Sequence, residues 1–495
     1  MHPSALAKRL YLILFLVIIA FYLYGLGALP LLGPDEPRYA QVAREMFLRG
    51  DLITPTLGGH TWFEKPALPY WLMIASYKIF GVSEWSARLG SAICGLLTIA
   101  AVAYVGRTVE RTLELNPATN GEPAPDGASG FGFSSVLVAA SSLGLIVFSR
   151  AASFDIAITM TTAWALAFFL VRELREENRS AFLVGFYIFI GLSLLAKGLV
   201  GIVIPFGVVG LYYLLRRTWP TRQVWLSLFW GVPLALAVSA IWYGPVIARH
   251  GRTFIDEFFI QHHFARYVSN KYHHPQPIYF YPAIILLLAL PWSPYLIAAL
   301  VKIRRWAWRG VDSLSVLRVF TLAWLLMPIV FFSFSGSKLP GYILPSLPGA
   351  AFLITDFLIH SKSRWIPGPT GRLAIFGATL IFVAVVLIFA APRYAQRESV
   401  RDLLQVADAR GYAGAPVLAR TGDDRSAQFY AYDRVVYKAD GEVMTVDEVS
   451  RTQARALGGK IVVLIPLEHV DHFRGAPGFQ IIGDNGQTAV LGWTP

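Results

Sequence analysis

The chain has 495 residues, of which 55% are hydrophobic and only 15% charged. Soluble domains average about 25% charged residues, so an ordinary soluble enzyme is disfavoured, and 33 Phe, 22 Tyr and 14 Trp argue against disorder. The net charge of +12 fits basic cytoplasmic loops beside anionic headgroups, without nucleic acid as a partner.

A membrane-spanning helix needs about 20 mostly apolar residues, and about eleven runs meet that measure: 10–29, 86–106, 131–149, 154–174, 181–196, 198–215, 224–247, 278–301, 316–335, 340–360 and 372–391. The first is read as an uncleaved anchor because further spans follow directly. With the N-terminus in the cytoplasm, the inside loops carry Arg107 and Arg111, then Arg172, Arg175 and Arg179. Further along they carry Arg216, Arg217 and Arg222, then Lys302, Arg304, Arg305 and Arg309, then Lys362, Arg364 and Arg372. Each is basic, as the positive-inside rule requires. The odd span count puts the tail outside. The lone Cys94 allows no intrachain disulfide.

The first outward loop, 30–84, is too long for a plain connector. Pro34 and Pro37 suit the first turn of an amphipathic helix, and Asp35 and Glu36 suit its positive end. Tyr39, Val42, Ala43, Met46 and Phe47 form its apolar face, while Arg38, Arg44 and Arg49 snorkel or meet headgroups. Gly58-Gly59 predicts a turn between two short strands. Pro66 to Phe80 is apolar, short for a span, and is placed in the outer interface. The polar, Gly- and Pro-rich stretch 107–130 reads as a cytoplasmic linker. A second outward loop, about 249–277, holds five of the ten histidines: His250, His262, His263, His273 and His274. The tail has helical spacing at Val400, Leu403, Leu404 and Ala407, and short strands at PVLAR, KIVVLIP and FQIIG. The expected organisation is a transmembrane domain over 1–391 and a small α/β domain over 392–495.

In this topology the ionisable groups gather on the outward face. Arg38, Lys65, Lys197, Arg266 and Lys338 suit a lipid-borne phosphate. Asp35, Glu64 and Asp155 suit activation of a nucleophile, cation binding, or stabilisation of charge on a sugar. Glu64 with His60 or the pair His262 and His263 has the donor types of a divalent metal site, zinc or magnesium.

At GPDEPRYA, FEKP, SFD and SKLPGYILP the chain resembles the GT-C polyprenyl-phosphate-dependent glycosyltransferases. Within them it is similar to the aminoarabinose transferases that modify lipid A and to the dolichyl-phosphate-mannose protein mannosyltransferases. The likeness covers about residues 1–390. It implies an α-helical polytopic GT-C fold and an enzyme of the bacterial inner membrane working at the periplasmic face. The donor would be a sugar on undecaprenyl phosphate or a similar carrier, and the acceptor lipid A, another glycan or a protein. Asp35 takes the family's catalytic position, in a pair with Glu36, and Asp155 assists. Lys65, Arg266 and Tyr342 match positions that hold the carrier phosphate, with Arg38 and Lys338 as further candidates. Glu64 and a histidine of the second loop match a metal site of the aminoarabinose branch; here His262 stands before His263, where the family has an acidic residue. The expected reaction is a single inverting displacement. Two alternatives stay open: a protein O-glycosyltransferase of the same fold, and a flippase for polyprenyl-linked sugars, which should show repeated halves and mid-membrane charges.

Overall fold

Helices dominate because the apolar runs leave lipid-facing backbone no other way to satisfy its hydrogen bonds. The computed structural model describes residues 5–115, 130–175, 179–265, 276–361, 365–419, 425–438 and 441–495. It forms two compact units. One comprises Met1–Tyr24, Glu64–Pro69 and Ser91–Phe382, the other Gly25–Phe63, Tyr70–Gly90 and Val383–Pro495.

Among the described residues seven segments are long and apolar enough to cross a membrane: Glu84–Leu113, Phe154–Leu174, Arg179–Lys197, Arg222–Gln261, Ser313–Ser333, Pro340–His360 and Pro369–Glu398. The expected runs outside these seven are short or broken. Helices α5 (Phe131–Ala140) and α6 (Leu143–Ser149) form one bent pair, at 57°. Apolar helices Leu12–Leu23 and Val200–Arg216 are shorter. The run at 278–301 divides into Phe280–Leu288 and Ser293–Lys302 around Pro291, which has no N–H to continue a helix.

Helix α1 (Ala5–Leu23) ends in the first unit, where Arg150 reaches its last carbonyls, donating to Phe21 O at 2.9 Å and Tyr24 O at 2.6 Å. Helix α4 (Glu84–Leu115) continues through RTVERTLEL, so the first part of the expected linker is helical. Its remainder lies outside the described residues. Helix α7 (Phe154–Leu174) is the hub, with 83% of its apolar window buried against 17% for Pro369–Glu398. Arg172, expected in a loop, sits buried in the last turn of α7, where it donates to Thr221 Oγ1 at 2.8 Å and Gln223 Oε1 at 3.1 Å. These bonds and the ion pair with Glu173 offset the cost of burying the guanidinium.

In the second unit, helix α2 (Asp35–Arg49) buries the expected face and more, including Ala40 and Gln41, while Phe47 is half-buried. It ends at Gly50, whose φ of 65° permits the closing bonds to Met46 and Phe47 carbonyls. The Gly58–Gly59 turn joins β1 (Thr56–Leu57) and β2 (His60–Thr61) as expected. Glu45 of α2 accepts from Thr56 Oγ1 (2.7 Å) and the Gly58 and Gly59 N–H groups (2.8 and 3.2 Å), fixing hairpin to helix. The tail forms β3 (Val417–Ala419), β4 (Ile461–Pro466), β5 (Phe479–Asp484) and β6 (Thr488–Trp493) in the order β3-β4-β6-β5. β3 pairs parallel with β4 and the other pairs are antiparallel. Alternate side chains fill the two faces: Val417, Val462 and Leu464 on one, Ile461, Val463 and Leu491 on the other.

The arginines of α2 find partners within the protein. Arg44 donates to Phe429 O at 3.1 Å and lies 3.6 Å from the Tyr432 ring centroid. Burial lowers its pKa, against a raising influence from Tyr432. Arg49 donates to Thr54 O at 2.7 Å. The phenol of Tyr430 accepts the Leu31 N–H at 2.8 Å and donates to Glu84 at 3.1 Å, and burial raises its pKa well above the usual tyrosine range. The backbone bonds offered by the folded tail compete successfully for cations that sequence alone assigns to lipid.

Candidate functional site

In the second unit the two acids that open α2 have different surroundings. Glu36 is buried, and its carboxylate accepts from Arg88 Nε at 2.9 Å and Nη2 at 2.7 Å, and from the Leu32 N–H at 2.8 Å. Arg88 spends its other donors on the carbonyls of Leu26, Leu29 and Pro30, each at 2.7 Å. This pair fastens the chain entering α2 and thereby fixes the start of that helix. Asp35 has a side chain 51% exposed and pairs with Arg38. Arg38 also lies over the rings of Tyr39 and Trp62, at 5.1 and 5.6 Å. Arg425 of the tail stands 5.5 Å from the same Trp62 ring. The result is a reachable carboxylate at a helix N-terminus with two guanidinium groups nearby, an arrangement that favours an anionic reactant.

In the first unit, FEKP places Glu64 and Lys65 side by side, with Oε1 and Nζ 3.2 Å apart and both side chains largely buried. Asp155 opens α7, but Ser153 caps that helix by accepting the Asp155 N–H at 3.1 Å. The Asp155 carboxylate is therefore available for another partner, and it ion-pairs with Lys197 at the end of α8 (Arg179–Lys197). Lys197 Nζ also lies 4.5 Å from the Tyr342 ring centroid. Tyr342 follows Gly341, and a Cβ at Gly341 would collide with the Asp155 carboxylate. Lys338 of the same loop is buried and donates to Ser335 O at 2.8 Å.

Thus SFD, Lys197 and SKLPGY meet through a contact that only glycine permits. Gly341→Ala should displace Asp155 from Lys197 and cut the chain's activity at least about tenfold, with the helical circular-dichroism signal retained. Unchanged activity in that variant would remove Asp155 from the reaction.

His262 and His263 lie in the helical segment Ile255–Ala265, but their side chains fall outside what is described, and Arg266 lies outside the described residues. Among the described residues no three His, Cys, Asp or Glu come together as a metal-binding group. Glu64 faces the Lys65 ammonium, which disfavours a cation at that carboxylate. Sequence reasoning missed Arg88 and Arg425. Arg88 carries a signal, a lone arginine early in an apolar run; Arg425 carries none.

The family model for dolichyl-phosphate-mannose-protein mannosyltransferase matches residues 64–115. ArnT from Cupriavidus metallidurans bound to undecaprenyl phosphate superposes with a TM-score of 0.72, covering 97% of this chain and 98% of that one at 22% identity. Its apo form gives a TM-score of 0.73. The chain has the fold of the multi-pass GT-C membrane glycosyltransferases.

The undecaprenyl phosphate-α-4-amino-4-deoxy-L-arabinose arabinosyl transferase of Aeromonas hydrophila is 28% identical over 406 residues, 79% of this chain and 68% of that protein. Its counterpart in Pseudomonas aeruginosa is 30% identical over 351 residues, 70% of this chain and 59% of that protein. By sequence the chain is similar to these aminoarabinose transferases.

Proposed function

We propose that the chain transfers a sugar, aminoarabinose or a close relative, from undecaprenyl phosphate to lipid A or another lipopolysaccharide component. The observation that carries this reading is the division of labour in the Asp35-Glu36 pair: Glu36 is held by Arg88, while Asp35 stays accessible on a fixed helix start. The relatives' names supply the donor and acceptor class.

In the proposed reaction an acceptor oxygen forms a bond to the anomeric carbon on the face opposite the carrier. The carbon–oxygen bond to the carrier phosphate breaks, and its electron pair leaves with the phosphate. Lys65 and Arg266 offset charge growing on that leaving group, with Arg38, Lys338 and Tyr342 as further phosphate-side candidates. A phosphate acceptor needs no base, and Asp35 then orients it; a hydroxyl acceptor transfers its proton to Asp35. Asp155, held by Lys197, supports the sugar side. Lipid A from cells with and without the protein tests the reading: a sugar mass present only with the protein supports it, and identical spectra contradict it.

The proposed setting is the inner membrane, with the N-terminus cytoplasmic and Asp35, Asp155 and the tail periplasmic. The run of basic loops supports that orientation. Cys94 is buried and gives a silent background for labelling. A cysteine replacing exposed Arg474 should react with an impermeant maleimide on intact spheroplasts. One replacing exposed Arg309 should react only after permeabilisation, and the reverse pattern would invert the topology.

A further inference from the structure

The first unit holds a second candidate binding site, at the other end of its helices. A cavity of about 640 Å³ is walled by apolar residues of α1 and α4, among them Leu14, Ile18 and Ala103, and is bounded by Arg107, Arg111 and Arg175. Asp155 lies at the start of α7 and Arg175 just past its end. At 1.5 Å per residue they are about 30 Å apart, close to the thickness of a bilayer core. The arginines are therefore remote from Asp155.

Arg107 and Arg111 are exposed and Arg175 is half-buried. No carboxylate among the described residues pairs with any of the three. Glu110, the acid nearest in sequence to Arg107 and Arg111, is occupied: its two oxygens accept the Gly130 and Gly132 N–H groups at the start of α5. An apolar groove alone would be covered by any lipid. Three cations at one end of it, with no carboxylate of the described residues paired to them, select an anionic headgroup whose acyl chain lies along Leu14 and Ile18.

We propose that this groove binds an anionic phospholipid, phosphate on the arginines and chain along α1 and α4. The leaflet, cytoplasmic, rests on the orientation proposed above; the binding itself does not, and it is read without any transfer reaction.

Native mass spectrometry of the full-length protein in detergent provides the test, with dioleoyl-phosphatidylglycerol or dioleoyl-phosphatidylcholine added at equal concentration. The wild type should retain the phosphatidylglycerol preferentially. R107Q/R111Q should retain it about 25-fold less, since each of the two surface cations contributes about a fivefold effect. Its melting temperature in lipid-free detergent should match the wild type, because both side chains are exposed. Equal retention of the two lipids, or undiminished retention in the variant, would overturn the proposal. So would inorganic phosphate raising the melting temperature as much as phosphatidylglycerol, which would leave a bare anion site.

Discussion

Asp35→Asn should lower the rate of sugar transfer by about 10² to 10⁴, the range for loss of a positioned acid–base group, while leaving the fold intact. The substitution keeps the side chain's size and removes its charge. Asp35 is half exposed and its ion pair with Arg38 is a local one across three residues, the kind that contributes about 0–1 kcal/mol. Asparagine is also tolerated at a helix start. Activity and melting temperature should therefore part company: transfer collapses and the melt barely moves. Glu36→Gln should do the opposite, lowering the melting temperature through loss of its charge-assisted bonds to Arg88. Equal activity in Asp35→Asn and wild type would assign catalysis to another group.

The largest stability loss should come from Arg88→Met, about 3–5 kcal/mol, the cost of leaving one member of a buried ion pair without its partner. Removing the guanidinium leaves the Glu36 carboxylate with the Leu32 N–H and strands three backbone carbonyls at 26, 29 and 30. Arg88→Lys should rescue little, because an ammonium lacks the planar five-donor fork that meets all these acceptors at once. The double variant Arg88→Met/Glu36→Gln should be less destabilised than the sum of the singles, since the stranded charge is gone. Thermal melts of the four proteins in one detergent measure this. Strict additivity would show that the pair acts as two separate contacts.

What the sequence reveals here is what repeats locally. The span over 154–174 has the bounds read from hydropathy, the Gly58–Gly59 turn joins its two strands, and α2 buries Tyr39, Val42 and Met46. Three of the four tail strands appear as apolar runs. The fourth, Thr488–Trp493, has a core of only three apolar residues, Ala489 to Leu491, before Gly492, and does not stand out. Partnerships across long stretches leave no such trace. Arg88 finds Glu36 across 52 positions and Lys197 finds Asp155 across 42. The arginines of α2 look lipid-facing by composition, yet the tail and neighbouring backbone supply closer acceptors. Gly341 reads as an ordinary loop glycine until the Asp155 carboxylate is found where its Cβ would go.

Sugar transfer from the lipid carrier should depend on Asp35. Its most direct measurement incubates the purified protein with undecaprenyl-phosphate aminoarabinose and lipid A and follows the acceptor by mass spectrometry. The expected result is a lipid A product heavier by one aminoarabinose, formed by the wild type and nearly absent with Asp35→Asn. Unaltered lipid A with the wild type, or carrier-linked sugar moved across vesicles without transfer, would contradict it.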